Sequence, residues 1–277
     1  GLALVANKVL LGVDSDMLAL DAKTGALLWR QRLLETKSKY RLAGAPLAVK
    51  DKAIIGTHSA AGGCCGPIFA IDINNGAKVW QFDTIARTAQ PQHGADDGAD
   101  AIGGGTWLTG SYDFDSNTVW IGTAAPTPRL DWAGGEWRRD GARPGDNLFT
   151  SSVVALDADS GKLVSYFQEV PHDVWGFDAA GGEHVLFERE GKRYALHPNK
   201  NGFVYVYERD LGTRANAQLL PLANVWRLNK YNNFVHAIDA KTGTLIGRRD
   251  LPIGKHVNMC PSGDGATPRL AIGGLEV

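Results

Sequence analysis

The sequence predicts an all-β protein, a β-propeller with about four blades in this chain. Three observations lead to this prediction: a short motif recurs along the chain, turn residues are frequent, and no stretch keeps the 3.6-residue period of a helix. The 34 glycines agree with many tight turns. The 8 tryptophans agree with large flat side chains packed between layers.

The recurring motif consists of alanine, an aliphatic residue, aspartate, two variable residues, a small polar residue and glycine, followed by a short apolar stretch. The first copy begins at Ala19 and ends at Trp29. We expect Asp21 to cap the turn by accepting backbone N–H groups, and Gly25 to adopt the left-handed conformation of a tight hairpin. The tryptophan can then pack flat against the neighbouring unit. The other copies are residues 70–76, 155–161 and 237–243, with a degenerate copy at 206–212.

The spacing of the copies favours propeller blades. The first two copies lie about 51 residues apart, a length that suits a four-stranded blade. Trp80 ends the second copy, whereas Ser165 and Gly247 stand at or near the tryptophan position in the third and fourth. Wider gaps follow later in the chain, and the Pro-, Gly-, Trp- and Arg-rich segment 126–147 is predicted to be one long inserted loop. A β-sandwich is the alternative, although sandwiches do not usually repeat such a unit.

The number of blades also predicts the organisation of the domain. Residues 1–277 are expected to form part of a single propeller, and a closed ring needs about four to eight blades. We therefore expect either that the chain is a segment of a larger protein or that a further chain segment or subunit completes the ring.

Composition excludes some partners. The net charge of −1 and the short basic clusters give no electrostatic case for binding nucleic acid or an acidic membrane surface. No apolar run approaches the roughly 20 residues that span a bilayer. The expected ligands are therefore small molecules or other proteins.

Four longer stretches resemble a known family: residues 103–113, 143–150, 171–175 and 197–202. In this order they are similar to segments of the eight-bladed alcohol and methanol dehydrogenases that depend on pyrroloquinoline quinone (PQQ). The recurring motif is likewise similar to the tryptophan-docking motif of that family. The resemblance implies periplasmic oxidation of a small alcohol, with PQQ taking the hydride and a cytochrome c-type acceptor receiving the electrons. It also implies a calcium or lanthanide ion acting as Lewis acid beneath the quinone.

The resemblance assigns roles to individual residues. Trp107 matches the tryptophan that forms the floor under the flat quinone, and Thr106 beside it matches a hydrogen-bond partner of a cofactor carboxylate. Lys200 matches a basic residue that hydrogen-bonds the quinone oxygens. Asp178 matches an additional aspartate of lanthanide-type members, which makes it the candidate catalytic and metal-binding carboxylate. From the residues alone, Trp107 could equally be a core tryptophan, and Lys200 a solvated turn residue.

Three positions depart from the family pattern. Ala61 and Ala125 stand where the family has metal-ligating glutamate and asparagine, and Gly176 stands where it has the catalytic aspartate. Alanine and glycine have no side-chain oxygen, so they can neither ligate a hard cation nor accept a proton. Two functions therefore stay open: a working PQQ-dependent dehydrogenase, or a catalytically silent propeller that serves as a binding or assembly subunit.

The adjacent cysteines Cys64 and Cys65 also have two interpretations. The family has a vicinal disulfide over its cofactor, but the pair in this chain occupies a different place, so that role is not transferred. A vicinal disulfide and two free thiols in a glycine-rich loop are both compatible with the sequence. His58, which lies near this pair, is expected to be structural.

Overall fold

The chain folds as β-sheets joined by short turns. The computed structural model describes two sets of residues: a main set running to residue 210, and four later strands. The main set comprises residues 1–35, 38, 40–59, 66–85, 102–127, 131–133, 136–138, 145–174, 176–201 and 203–210, and the strands are 217–218, 226–227, 234–238 and 245–250.

The first two sheets are antiparallel meanders of four strands in chain order. Within each of these sheets every strand pairs with the next one in the sequence, as antiparallel connections allow. The first sheet contains β1 (Leu2–Val5), β2 (Lys8–Val13), β3 (Asp16–Asp21) and β4 (Leu27–Arg32). The second contains β5 (Tyr40–Val49), β6 (Lys52–Ser59), β7 (Pro67–Asp72) and β8 (Lys78–Asp83).

The later sheets repeat this arrangement with additions. The third sheet has the order β10-β11-β15-β16-β20, the fourth has β17-β18-β19-β21, and β22 pairs with β23. The prediction of an all-β propeller with about four blades is therefore confirmed. The strands are β9 (Ile102–Gly103), β10 (Ser111–Asp113), β11 (Thr118–Gly122), β12 (Pro126–Thr127), β13 (Asp131–Ala133), β14 (Glu136–Arg138), β15 (Ser152–Asp157), β16 (Leu163–Gln168), β17 (Val185–Arg189), β18 (Lys192–Pro198), β19 (Phe203–Glu208), β20 (Ala217–Gln218), β21 (Trp226–Arg227), β22 (Phe234–Ile238) and β23 (Leu245–Asp250).

The recurring motif forms the same turn in each copy for which side chains are described. In the first copy, Asp21 Oδ1 accepts the N–H groups of Lys23 (3.0 Å) and Thr24 (2.8 Å). Gly25 has φ +71°, and its N–H donates to the Asp21 carbonyl at 2.8 Å. Asp72 and Asp157 cap their turns in the same way. The aspartate and the glycine thus do what the sequence predicts, because both act within one local turn.

Strand register shows that the copies are structurally equivalent. The motif alanine pairs with Trp29, Trp80 and Ser165 in the first three sheets and with Gly247 in the β22–β23 pair, and a bulge directly follows each of these alanines. Ser165 and Gly247 therefore occupy the predicted tryptophan position. Residues 239–243 of the fourth copy and residues 211–212 of the degenerate copy lie outside the described residues.

The core lies between successive sheets. Adjacent residues of one strand point to opposite faces, so each middle sheet buries apolar side chains on both sides. Ile55 and Phe69 pack toward the first sheet, whereas Ile54 and Ile68 pack toward the third. A third cluster joins the third and fourth sheets around Trp120. Face-to-face stacking of this kind is the packing expected of propeller blades.

Tryptophan side chains connect one sheet to the turn of the next. Trp29 Nε1 donates to the carbonyl of Ile73 at 3.0 Å, and Trp80 Nε1 donates to that of Ala158 at 3.1 Å. A Cβ at Gly76 would lie 2.7 Å from the Trp29 ring, and one at Gly161 would lie 2.5 Å from the Trp80 ring. Trp29 and Trp80 thus each contact the turn that follows the motif aspartate in the next sheet.

The segment 126–147, predicted as one inserted loop, contains short strands among its described residues. β12 pairs with β9, and β13 pairs with β14 in a hairpin that sets Trp132 opposite Trp137. Tryptophan has a high strand propensity, which agrees with its position in both strands. The segment therefore contains short strands although its composition is typical of a loop.

Within the residues that the structure describes, we find no helix long and apolar enough to cross a membrane.

We expect Gly161→Ala to destabilise the protein more than Gly25→Ala. Both glycines have left-handed backbones, with φ +69° and +71°, so both substitutions carry a similar conformational cost of about 1 kcal/mol. A Cβ at position 161 would also meet Trp80, whereas nothing lies within 4 Å of a Cβ at position 25. The steric clash should therefore lower the free energy of unfolding of the Gly161 variant by about 1–3 kcal/mol more. Urea denaturation measures this difference, and equal losses in the two variants would contradict the role of Trp80.

Candidate active site

The loop that carries Trp107 joins β9 to β10 and is anchored to the second sheet. The N–H of Thr106 donates to the Thr57 carbonyl at 2.6 Å, and the N–H of Thr57 donates to Thr106 Oγ1 at 3.2 Å. Gly44 has φ +77°, and a Cβ there would lie 2.9 Å from the Trp107 carbonyl oxygen. A glycine at this point of β5 therefore lets the loop approach closely.

The Trp107 indole is half-buried and contacts two basic side chains. His58 lies edge-on to the indole, with ring centroids 5.3 Å apart and an interplanar angle of 88°. Lys200 Nζ lies over the indole, 5.1 Å from its centroid, which is within cation–π range. Trp107 is therefore not buried as an ordinary core tryptophan.

Lys200 joins Trp107 to a carboxylate. Its Nζ donates to Asp178 Oδ2 at 2.6 Å, and the two side chains are 27% and 6% exposed. Lys200 follows β18, and its stem packs over Gly181, where a Cβ would lie 2.7 Å from Lys200 Cε. Lys200 is thus a partly buried cation between an aromatic surface and an acid, and not a solvated turn residue.

Asp178 is held by backbone contacts on its other side. Its Oδ1 accepts the N–H of Ala125 at 2.7 Å. Asp178 precedes a 3₁₀ turn, Ala179–Gly181, in which the Ala180 N–H donates to the Thr123 carbonyl at 3.0 Å. Gly176, two residues before Asp178, has φ +72°. The connection that follows β11 therefore fixes one side of this carboxylate, and Lys200, on the connection that follows β18, contacts the other side.

The structure brings three of the four predicted site residues together. Trp107, Lys200 and Asp178 form a continuous contact, although they lie on three separate connections between strands. Thr106 is only 1% exposed and its contact with Thr57 anchors the loop, so its predicted bond to a cofactor carboxylate stays a prediction. Ala61, Cys64 and Cys65 lie outside the described residues, as does Trp175.

The described residues do not fit a calcium or lanthanide ion. They contain no group of three or more His, Cys, Asp or Glu side chains that could hold a metal. Ala125 and Gly176 contribute no side-chain oxygen, and both oxygens of Asp178 already accept hydrogen bonds. Because calcium takes six to eight oxygen ligands, we assign no metal to Asp178, whose predicted role as a ligand stays untested.

The same residues do fit a planar, anionic quinone. Trp107 offers a half-buried flat surface of the kind on which an aromatic ring system stacks. Lys200 provides an ammonium group that can donate to a quinone oxygen or offset a carboxylate charge. PQQ would thus be held by stacking and by a charge-assisted hydrogen bond.

The sequence does not predict the buried polar network that lies behind the site. Glu169 is fully buried and accepts hydrogen bonds from His197, Asn199 and Tyr207. These partners lie between 28 and 38 residues from Glu169, so no local pattern signals their contact. His197 and Asn199 belong to a stretch that carries the family resemblance, yet the sequence gives them no role.

A family model describes most of this chain. The β-propeller domain of the PQQ-dependent glucose, ethanol and alcohol dehydrogenases matches residues 34–216. That range includes Trp107, Asp178 and Lys200.

Curated relatives and solved structures agree with that match. The chain is 32% identical over 237 residues to quinohemoprotein alcohol dehydrogenase ADH IIB of Pseudomonas putida, covering 79% of this chain and 33% of the relative. It is 31% identical to the quinone-dependent 1-butanol dehydrogenase of Thauera butanivorans and to subunit 1 of the methanol dehydrogenase of Methylorubrum extorquens. These two matches cover 91% of this chain and 46% and 42% of the relatives, so the chain spans less than half the length of the relatives it matches.

The solved structure of quinohemoprotein alcohol dehydrogenase ADHIIG from Pseudomonas putida superposes with a TM-score of 0.69 at 29% identity. It covers 89% of this chain and 36% of that one. A europium-containing methanol dehydrogenase superposes with a TM-score of 0.65 at 28% identity, covering 88% and 44%. The chain belongs to the family of PQQ-dependent alcohol dehydrogenase β-propellers.

Proposed function

We propose that the protein containing this chain binds PQQ and oxidises a small alcohol to an aldehyde or ketone. The observation that carries the proposal is the position of Lys200 Nζ, which lies over the Trp107 ring and at the same time contacts Asp178. A flat surface, a cation and a carboxylate are thus assembled in one place, as binding a quinone next to an alcohol requires.

Each residue has a distinct task in this proposal. Trp107 supports the flat face of the cofactor, and Lys200 donates a hydrogen bond toward a quinone oxygen, where negative charge grows during reduction. Asp178 is the carboxylate to which the alcohol hydroxyl can transfer its proton. Bound PQQ supplies the quinone that accepts the hydride. In the structure, Lys200 pairs with Asp178 Oδ2, so this proton transfer requires Lys200 to share or release that oxygen.

The names of the relatives support a proposal for the electron acceptor, and the family resemblance supports one for the compartment. One relative is named a methanol dehydrogenase with cytochrome c, and others are named quinohemoproteins. We propose a cytochrome c-type acceptor and a periplasmic location for this protein as well. A further chain segment or subunit would complete the propeller ring.

A second function is favoured by a specific observation. Ala125 and Gly176 offer no side-chain oxygen beside Asp178, and the Asp178 charge is already balanced by Lys200. A propeller with this site could serve as a catalytically silent binding or assembly subunit. The two functions differ in whether the site formed by Trp107, Lys200 and Asp178 binds PQQ.

Calorimetric titration of the full-length protein with PQQ separates the two functions. The titration is carried out in EDTA, in calcium and in lanthanum, and an ethanol-driven dye-reduction assay follows. Saturable binding with turnover supports the dehydrogenase. Absence of binding under all three conditions would refute it and favour the silent subunit.

We expect Trp107→Ala to weaken PQQ binding by about tenfold, because the substitution removes the stacking surface. Phe114→Ala is the matched control, since Phe114 is an aromatic residue that is 83% exposed. Calorimetry measures the PQQ dissociation constants of both variants and of the wild type. Equal affinities for the Trp107 variant and the wild type would remove Trp107 from the site.

We expect Lys200→Met to lower turnover by about a hundredfold, because the donor aimed at the developing oxygen charge is lost. Lys200→Arg keeps the positive charge and should recover part of that loss. Lys192→Met, at an exposed position of β18, controls for the change in net charge. Steady-state dye reduction measures turnover, and activity in Lys200→Met equal to that of the control would contradict the role of Lys200.

A further inference from the structure

A fully buried carboxylate lies behind the candidate site. The Glu169 side chain is 0% exposed. Its Oε1 accepts from His197 Nδ1 at 2.7 Å and from the Tyr207 hydroxyl, and its Oε2 accepts from Asn199 Nδ2. Three donors from the fourth sheet and its connections thus converge on one carboxyl group.

His197 is positively charged in this arrangement. Its Nδ1 faces the Glu169 carboxylate, and its Nε2 faces the carbonyl oxygens of Ala179 (2.9 Å) and Gly182 (3.2 Å). Because these partners are acceptors, both ring nitrogens must carry a proton. Burial would lower the pKa of His197, but the Glu169 charge and the two carbonyls together raise it.

The neighbouring histidine is consistent with a charged His197. His184 stacks on His197 with ring centroids 4.4 Å apart. Burial and the adjacent His197 charge hold the pKa of His184 well below its usual value, so His184 is neutral. One positive charge therefore sits in the stack, next to Glu169.

One arm of the network reaches Asp178. The two carbonyls that His197 contacts belong to the 3₁₀ turn Ala179–Gly181 and to the residue after it. This turn starts directly after Asp178, and the Gly181 N–H donates to the Asp178 carbonyl at 3.2 Å. His197 thus fixes the turn that positions the site carboxylate.

The other arm reaches Lys200. Asn199, which binds Glu169, directly precedes Lys200 in the chain. Asn199 Oδ1 accepts the Asn201 N–H at 2.8 Å, and the Asn199 N–H donates to the Phe203 carbonyl at 2.9 Å. Asn199 therefore holds the turn that carries Lys200 through both its side chain and its backbone.

We propose that Glu169 is a positioning residue that keeps Asp178 and Lys200 in contact with each other. It acts through His197 on the Asp178 side and through Asn199 on the Lys200 side. Only its effect on cofactor affinity rests on the proposed function. The mechanical part of the proposal, that Glu169 fixes the positions of Asp178 and Lys200, concerns this chain alone. A single carboxylate can hold both residues because it accepts from both connecting side chains at once.

Hydrogen exchange without cofactor tests the mechanical part. The Ala125 N–H donates to Asp178 Oδ1, and the Ala180 N–H donates to the Thr123 carbonyl, so both amides report on the position of the turn. In Glu169→Gln we expect both to exchange about tenfold faster, because the charge that holds His197 is lost. Amides of β7, in the second sheet, should keep their wild-type rates.

Glu188→Gln is the matched control, because it makes the same change at an exposed position of β17. Mass spectrometry at residue resolution measures the rates. Wild-type exchange at Ala125 and Ala180 in a folded Glu169→Gln variant would overturn the proposal. So would an equal acceleration throughout the protein, since that would indicate general destabilisation.

A second variant keeps the test decisive if Glu169→Gln does not fold. Asn199→Ala breaks only the Lys200 arm. We expect the labelling rate of the Lys200 amine by an acylating reagent to change about threefold or more, while exchange at Ala125 stays at its wild-type rate. Acceleration at Ala125 together with an unchanged Lys200 would overturn the division into two arms.

The closing measurement is PQQ affinity of the folded variants. Glu169→Gln should bind PQQ at least about tenfold more weakly than Glu188→Gln, because the residues that hold the ligand are displaced. If wild-type protein binds no PQQ, the proposed function fails while the exchange data still decide the role of Glu169. If wild-type and Glu169→Gln bind equally well, positioning by Glu169 is refuted.

Discussion

The seating of a tryptophan on the glycine of the next turn is the contact on which the rest of this structure depends. Each middle sheet has apolar side chains on both faces and would expose one of them unless another sheet covered it. Trp29 over Gly76 holds the first sheet against the second, and Trp80 over Gly161 holds the second against the third. The glycine meets two demands there, a left-handed backbone and the absence of a Cβ that would displace the indole.

Stacking the sheets in this way brings connections of different sheets to one site. The Trp107 loop is anchored to β6 of the second sheet and leads into the third, whereas Lys200 lies between two strands of the fourth. Asp178 lies on the connection between those sheets, bonded to Ala125 on one side and Lys200 on the other. No single sheet contains the site, so the site depends on how successive sheets dock.

Two ion pairs of different character lie one behind the other. Lys200–Asp178 is partly open to solvent, so its ammonium group remains available to a ligand. Glu169–His197 is fully buried, and such a pair must satisfy all of its hydrogen bonds to offset the cost of desolvation. His197 and Glu169 do so with backbone carbonyls and with side chains of the same sheet. The buried pair thereby gives a fixed geometry to the accessible pair in front of it.

The sequence by itself determined the strands and the capped turns. Each of these depends on residues a few positions apart, such as Asp157 and Gly161. Through its resemblance to a family, it also predicts Trp107, Lys200 and Asp178 as candidate site residues. Only the tertiary structure decided that Thr106 is buried, that strands form within 126–147, and that Glu169 lies behind the site. Those features depend on which side chains distant strands bring together, and pairings across 28 or more residues leave no periodic trace in a sequence.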